Sequence, residues 1–501
     1  MDNYRTDIFK TALLFGVILF VGIVLRLIIH LNGPLDFDEI VSWAIARRTP
    51  FLNMWVAGFS EPTPPIYETV VHFTMSLLGD TPALIRTPSA LFGVLILPLT
   101  FWIMRLGTFD KKDSLCAMAI VAVSPMLIYY SQELRAYSML AFTGVLSVGL
   151  LLRCLRKPTN INSLVFAITI FILAHIHRYG LLLIAAELFC VILYRQWKIL
   201  AFFSVSMFLV LLIIIKQIIS GEFYYSLAID RVTRWDSLFA LINFLNVGID
   251  LGSITGYHNT PFIYYSRYKI NFILSMSGLI VFTTIILRGL AYVRNYVHEQ
   301  KQFMIILASC IIIPSALALI SGTPLIRIHP QWLLRGLIYI WPLYYISAVA
   351  FCSTSRYKLY LILSIIMLNC FSLYPYYTSF NRCPQANALE RLNRRTNEND
   401  IIVANPWYFY EVINYYYHGR AQQAAYDPTE GWIDIKRLRA SDYPFVESRL
   451  SLTITTPPIA SGNVYFFWWI DDLKCLSPFL NNKIFVYDDS NKYWKRYITK
   501  K

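Results

Sequence analysis

About eleven apolar stretches, each near the length of a bilayer-crossing helix, constrain this 501-residue chain more than any other feature. The first runs from about Phe9 to Leu31. Others follow at about 84–105, 114–130, 137–152, 162–176, 180–194 and 198–218. After a more polar stretch come 269–288, 302–320, 334–351 and 357–376. Only 15% of the residues are charged, against roughly 25% in soluble chains. A soluble enzyme, a disordered chain and a small disulfide scaffold are thereby excluded. The first stretch lacks a small-residue cleavage site and reads as an uncleaved anchor. Pro65 to Leu78 is too short to span and reads as a helix lying at the membrane interface.

The charges are placed unevenly. Net charge is +14, yet Phe380 to Lys501 alone holds 16 basic and 13 acidic residues. The expected division is a membrane body, 1–379, and a soluble outer domain, 380–501. The latter has strand-like runs at Ile401 to Ala404 and Val464 to Trp469, a helical run at Tyr408 to Tyr417, and a Pro-rich turn at Thr456 to Pro458. A small α/β domain follows from that pattern. In the body, the loops Arg105 to Lys112, Arg153 to Lys157, Arg195 to Lys198, Arg288 to Lys301 and Arg356 to Lys358 all fall on one side. The positive-inside bias makes that side cytosolic, with the N-terminus. The soluble domain is then outside, and the net charge needs no nucleic acid. If Pro65 to Leu78 crossed fully, several basic loops would move outside.

Four arginines run against this bias: Arg135, Arg178, Arg327 and Arg335 lie near span ends on the outer side. Snorkelling to lipid phosphate explains any one of them. An anionic ligand at the outer face explains all four. Carboxylates share that side. Asp36, Asp38 and Glu39 follow the first span at once, and Glu61 precedes Pro62-Thr63-Pro64-Pro65-Ile66-Tyr67. Acids at a helix start also serve as N-terminal caps. Asp38 and Glu39 are adjacent, so they point to different sides of any helix they open. Glu133, Arg135 and Tyr137 share one outer loop, and His175, His177 and Arg178 another.

Taken in order, these motifs resemble the polyprenyl-phosphate-sugar-dependent glycosyltransferases of the GT-C superfamily, above all the protein O-mannosyltransferase and aminoarabinose transferase branch. Asp38-Glu39 is similar to that branch's acidic pair after the first span. Pro64-Pro65-Ile66-Tyr67 opens an interfacial helix in the first outer loop. Arg86-Thr-Pro-Ser-Ala-Leu-Phe-Gly93 is similar to its Arg-x-Pro-Ser-x-x-x-Gly motif. Tyr129-Tyr130-Ser131-Gln-Glu133-Leu-Arg135-Ala-Tyr137 resembles its second outer loop, and His177-Arg-Tyr-Gly180 its His-Tyr-type turn. Thr63 departs from the His or Lys often found before the Pro pair. Beyond about residue 220 the likeness is architectural only.

The resemblance implies an all-α polytopic membrane fold of GT-C type with about eleven transmembrane helices, plus the α/β outer domain. It implies a hexosyl- or pentosyltransferase, usually inverting, that moves a sugar from polyprenyl phosphate to an acceptor hydroxyl at the outer face. Asp38 is the candidate base, since a carboxylate in a partly dry cavity is tuned for base work. Glu39 shares the catalytic pair, orienting the loop or reaching the acceptor. Arg135, His177, Arg178 and Arg335 are the candidate partners of the donor phosphate. Glu61, Tyr67, Glu133 and Tyr137 are candidate substrate contacts. No resident cofactor or metal is expected, the alternative being a divalent ion between acids and phosphate. The sugar stays open: mannose, aminoarabinose, glucose or another. The acceptor stays open among protein, lipid A, polysaccharide and lipid-linked glycan.

Two other classes compete. A transporter or flippase of lipid-linked glycans would want ionisable groups within the spans or paired broken helices. A receptor or scaffold would use the tail as a binding module. Six cysteines in or beside spans read as small apolar filler. Cys383 and Cys475, both in the tail, either form one disulfide in an oxidising compartment or stay free. The chain has no Asn-x-Ser/Thr sequon, which favours a bacterial inner membrane.

Overall fold

A computed structural model describes residues 2–27, 31–47, 51–52, 65–219, 269–291, 293–321, 335–378, 384–404, 410–427, 431–433, 463–467, 484–488 and 493–497. Glu61, Arg327, Pro64, Cys383, Cys475 and the turn 456–458 lie outside the described residues. The chain packs as two compact units, Met1–Asn32 with Pro62–Phe380, and Gly33–Glu61 with Asn381–Lys501.

The first unit is helical. Its elements are α1 (Asp2–Leu27), α3 (Ile66–Leu78), α4 (Pro82–Ile85), α5 (Thr87–Leu106), α6 (Lys111–Ala122), α7 (Pro125–Ser131), α8 (Tyr137–Arg156), α9 (Asn160–Ile176) and α10 (Gly180–Leu193). Then come α11 (Trp197–Ile219), α12 (Lys269–Ala291), α13 (His298–Ser321), α14 (Ile340–Cys352) and α15 (Lys358–Thr378). The second unit contributes α2 (Phe37–Ala46). Each expected apolar stretch overlaps one of these helices or the bent pair α6–α7, the first running past the end of α1 and that at 334–351 beginning before α14. Among the described residues, five helices are long and apolar enough to cross a membrane, or six with the bent pair. Five shorter apolar helices accompany them. The chain is an integral membrane protein. Phe9, Leu13, Val17 and Phe20 of α1 are exposed, as a helix facing lipid requires.

Where helices break inside such a body, the freed carbonyls need donors. Between α6 and α7 the axis turns by 59°. Arg26, wholly buried on α1, donates to the carbonyls of Val121 and Ala122 at 3.1 and 2.9 Å. The carbonyls ending α1 are met in turn. Gln132 Nε2 reaches Leu25 O at 2.8 Å, and the Tyr377 hydroxyl reaches the same oxygen at 2.7 Å. Tyr376 donates to the Gln132 amide oxygen. At the other end of α6, Asp110 caps the helix, and Asp113 pairs with Lys358 of α15 at 2.6 Å.

The second unit is mixed α/β. It adds α16 (Pro384–Asn393), β1 (Ile401–Ala404), α17 (Tyr410–Tyr416), β2 (Gln422–Asp427), β3 (Gly431–Ile433), β4 (Val464–Phe467), β5 (Ile484–Asp488) and β6 (Tyr493–Tyr497). The sheet order is β3-β2-β1-β4-β5-β6. Four central strands are parallel and both edge pairings antiparallel. Central β1 is buried along its whole length, as the apolar run Ile-Ile-Val-Ala demands. Its register is set at the start. Ile401 lies opposite Gln422 and Val464, and buried Asp400 accepts from the Asn463 amide at 2.6 Å.

Candidate functional site

In the first unit, Tyr137, Arg135, Arg178 and Arg335 bear on His177 in the turn His177–Tyr179, which joins α9 to α10. His177 ends α9 in extended backbone, φ −160° and ψ 140°, so its ring leaves the helix direction. Its Nδ1 accepts the Tyr179 backbone N–H at 3.2 Å. The Tyr179 ring stacks on it at 5.2 Å and 19°, and the Tyr137 ring lies 5.8 Å away. The Tyr339 hydroxyl fixes the turn from behind, donating to Tyr179 O at 3.0 Å. Gly336 is required there. A Cβ on it would fall 2.1 Å from the Tyr179 ring, far inside contact distance.

Charge converges on this imidazole. Desolvation, followed by the positive charges of Arg135, Arg178 and Arg335, lowers the His177 pKa to about 3. The ring is therefore neutral at physiological pH. With Nδ1 occupied as acceptor, Nε2 carries the proton and is a hydrogen-bond donor. The Tyr179 hydroxyl pKa is raised, chiefly by burial, and Arg335 acts on it in the opposite sense. Three guanidinium groups from three separate segments thus bear on one neutral N–H donor. A phosphate with its negative oxygens matches that chemistry.

Arg135 is brought there by a short turn between α7 and α8. Its N–H bonds Glu133 O at 2.8 Å, and its carbonyl accepts from the Ser89 hydroxyl at 3.2 Å. Ser89 Oγ in turn lies 2.6 Å from the Tyr67 hydroxyl. The Arg-x-Pro-Ser-x-x-x-Gly motif is explained by these contacts. Arg86, wholly buried, donates to Leu31 O at 2.7 Å. Pro88 opens α5 in its first turn. Ser89 and Gly93, one turn apart, share a helix face. A Cβ on Gly93 would sit 2.4 Å from Ser131 Cβ, so glycine lets α5 close on α7, which leads into the Arg135 turn. Tyr67 and Glu133 are buried, as is Tyr137, whose ring packs 4.9 Å from Tyr130. His175 Nδ1 lies 2.6 Å from the Phe171 carbonyl of its own helix.

The carboxylate pair belongs to the second unit. Asp36 caps α2 by accepting the Glu39 N–H at 2.9 Å, and the Glu39 carboxylate accepts the Asp36 N–H at 3.0 Å. This capping box commits one oxygen of Glu39, which is fully buried. Asp38 is half-buried and points about 100° round the helix from Glu39. Helix α2 packs on α17. Trp43 meets Tyr415 edge-on at 4.9 Å, and the Tyr416 hydroxyl donates to Leu35 O at 2.8 Å, just before the cap. Sequence reading missed Ser89, Tyr179, Gly336 and Tyr339. Ser89 and Tyr179 carried a signal, their places in the Arg-x-Pro-Ser and His177–Gly180 motifs, and Gly336 and Tyr339 carried none. Among the described residues no group of three or more His, Cys, Asp or Glu side chains is placed to hold a metal ion.

No protein-family model and no curated protein sequence matches the chain. Several solved structures are similar to it. One is the oligosaccharyltransferase AglB of Archaeoglobus fulgidus in complex with an inhibitory peptide and a dolichol-phosphate, at 13% identity and TM-score 0.47 over 85% of this chain. This chain spans 65% of that protein's length. The Archaeoglobus fulgidus enzyme tethered to an acceptor peptide gives 12% identity and TM-score 0.49, over 84% of this chain and 64% of that one. ArnT of Cupriavidus metallidurans bound to undecaprenyl phosphate gives 12% identity and TM-score 0.49, over 82% of this chain and 85% of that one.

Proposed function

We propose that this chain is an integral membrane glycosyltransferase that moves a sugar from a polyprenyl-phosphate donor to an acceptor hydroxyl. The observation that carries the reading is the convergence of Arg135, Arg178 and Arg335 on the neutral imidazole of His177. In the reaction, the acceptor oxygen bonds to the anomeric carbon as the bond from that carbon to the phosphate oxygen breaks. Polyprenyl phosphate leaves with the bonding pair, so negative charge grows on the phosphate. Arginine forks and the Nε2–H of His177 stabilise that growth. The acceptor proton goes to a base, for which Asp38 is proposed. Glu39 holds the helix start through its capping box and shares the acidic pair. Glu61, Tyr67, Glu133 and Tyr137 are proposed to shape the substrate surroundings. Inversion at the anomeric carbon follows from a single displacement. The proposed setting is a bacterial inner membrane, with the N-terminus cytosolic and residues 380–501 outside.

The test uses full-length protein in proteoliposomes and decaprenyl-phosphate donors carrying radiolabelled mannose, glucose or aminoarabinose, with membrane extract as the acceptor source. Release of decaprenyl phosphate is measured. Asp38→Asn is expected to abolish release while leaving the fold and decaprenyl-phosphate binding intact. Near-wild-type turnover by that variant refutes the base assignment. Transfer of intact labelled donor across the bilayer, with the phosphate–sugar bond unbroken, establishes the transporter instead.

A further inference from the structure

The hydrogen bonds around Ser89 have one allowed direction. The Arg135 carbonyl can only accept, so Ser89 Oγ donates to it. That hydroxyl has then spent its proton, and the Tyr67 hydroxyl must donate to Ser89 Oγ. The result is a directed relay, Tyr67 O–H to Ser89 O–H to the Arg135 carbonyl, from α3 through the first turn of α5 to the turn before α8. Tyr67 is 1% and Ser89 0% exposed, so water does not compete for these bonds. Arg135 lies outside the helical ladder, and its own N–H reaches back only two residues, to Glu133 O. Its backbone direction, and with it the start of its side chain, is fixed by this short bond and by the relay.

We propose that Tyr67 and Ser89 are positioning residues that aim the Arg135 guanidinium at the donor phosphate. The inference rests on the phosphate reading of the cluster and deepens it. Tyr67 then serves the site through its hydroxyl's hold on Ser89, and the serine of the Arg-x-Pro-Ser motif is there for its donor.

The test is a double-mutant cycle on the full chain in lipid nanodiscs. The readout is binding of methyl decaprenyl phosphate, a phosphodiester that cannot transfer a sugar. Ser89→Ala is expected to weaken binding about ten-fold and Tyr67→Phe about three-fold, the range of one misaligned or weakened hydrogen bond. Ser89→Thr, which keeps the hydroxyl, is expected to bind like the wild type. Tyr67→Phe keeps the ring and its packing, so it tests the relay even if Ser89→Ala folds poorly. Arg135→Ala is expected to weaken binding by about thirty-fold, the loss of a charge-assisted bond. In that background Ser89→Ala should add nothing, because a residue acting only through Arg135 has nothing left to aim. Multiplying losses, or wild-type binding by both Ser89→Ala and Tyr67→Phe, overturn the inference while leaving the phosphate reading in place. Wild-type binding by Arg135→Ala overturns the phosphate reading and the inference together.

Discussion

The pH dependence of donor binding follows from the state of His177. Its pKa is lowered to about 3, so between pH 5 and 8 the free site carries a neutral imidazole beside three arginines. A phosphodiester keeps a single negative charge across the same range. Bound among these groups it raises the His177 pKa, by about 2 units for one close opposite charge. For a rise of that size, linkage gives no more than about a two-fold tightening between pH 8 and pH 5. The sign is fixed, because the bound state holds the extra proton and acid can only favour binding. An imidazole with the ordinary pKa of about 6.5, raised by the same amount, would tighten binding more than about twenty-fold over that range. The assay is methyl decaprenyl phosphate binding to the full chain in nanodiscs at half-unit pH steps, with His177→Asn as the control. A change above ten-fold that disappears in His177→Asn refutes the neutral-imidazole reading.

Two further outcomes follow from the packing. Gly336→Ala drives a methyl group into the Tyr179 ring and should cost about 1–3 kcal/mol of stability, lowering the unfolding temperature in detergent and weakening methyl decaprenyl phosphate binding. Gly16→Ala, where nothing lies within 4 Å, is the matched control and should be silent. Tyr416→Phe removes the donor to Leu35 O in the second unit, worth about 1 kcal/mol. Amide exchange over residues 36–46 should accelerate about five-fold. Unchanged exchange would show that α17 does not hold the acidic helix.

Much of the membrane body was legible from residue type alone. Long apolar runs become helices because a bilayer leaves no other way to satisfy backbone groups, so the stretches at 84–105, 137–152 and 357–376 appear as α5, α8 and α15. The strands Ile401–Ala404 and Val464–Phe467 were readable from short β-branched and aromatic runs. The candidate arginines stood out because each opposed the charge bias at a span end. Harder to read were residues whose meaning lies in a partner distant in sequence. Arg26 carried no signal along the chain, yet it is wholly buried on carbonyls almost a hundred residues on. Nothing local in Gly336 reports a tyrosine ring from residue 179 above it.

The sequence by itself determined a polytopic membrane chain with a mixed α/β unit near its end, together with the residue types suited to an anionic ligand. Hydropathy and charge are local properties, and the bilayer acts on them locally. Tertiary structure decided three other things. It set His177 neutral, because burial and neighbouring arginines act through space. Through a capping box it committed Glu39 to the start of α2 and left Asp38 on another side of that helix. It also grouped the segment 33–61 with the C-terminal segment, through α17 and the Tyr416 hydroxyl. Each depends on groups that meet only once the chain has packed, and no spacing along the sequence encodes that meeting.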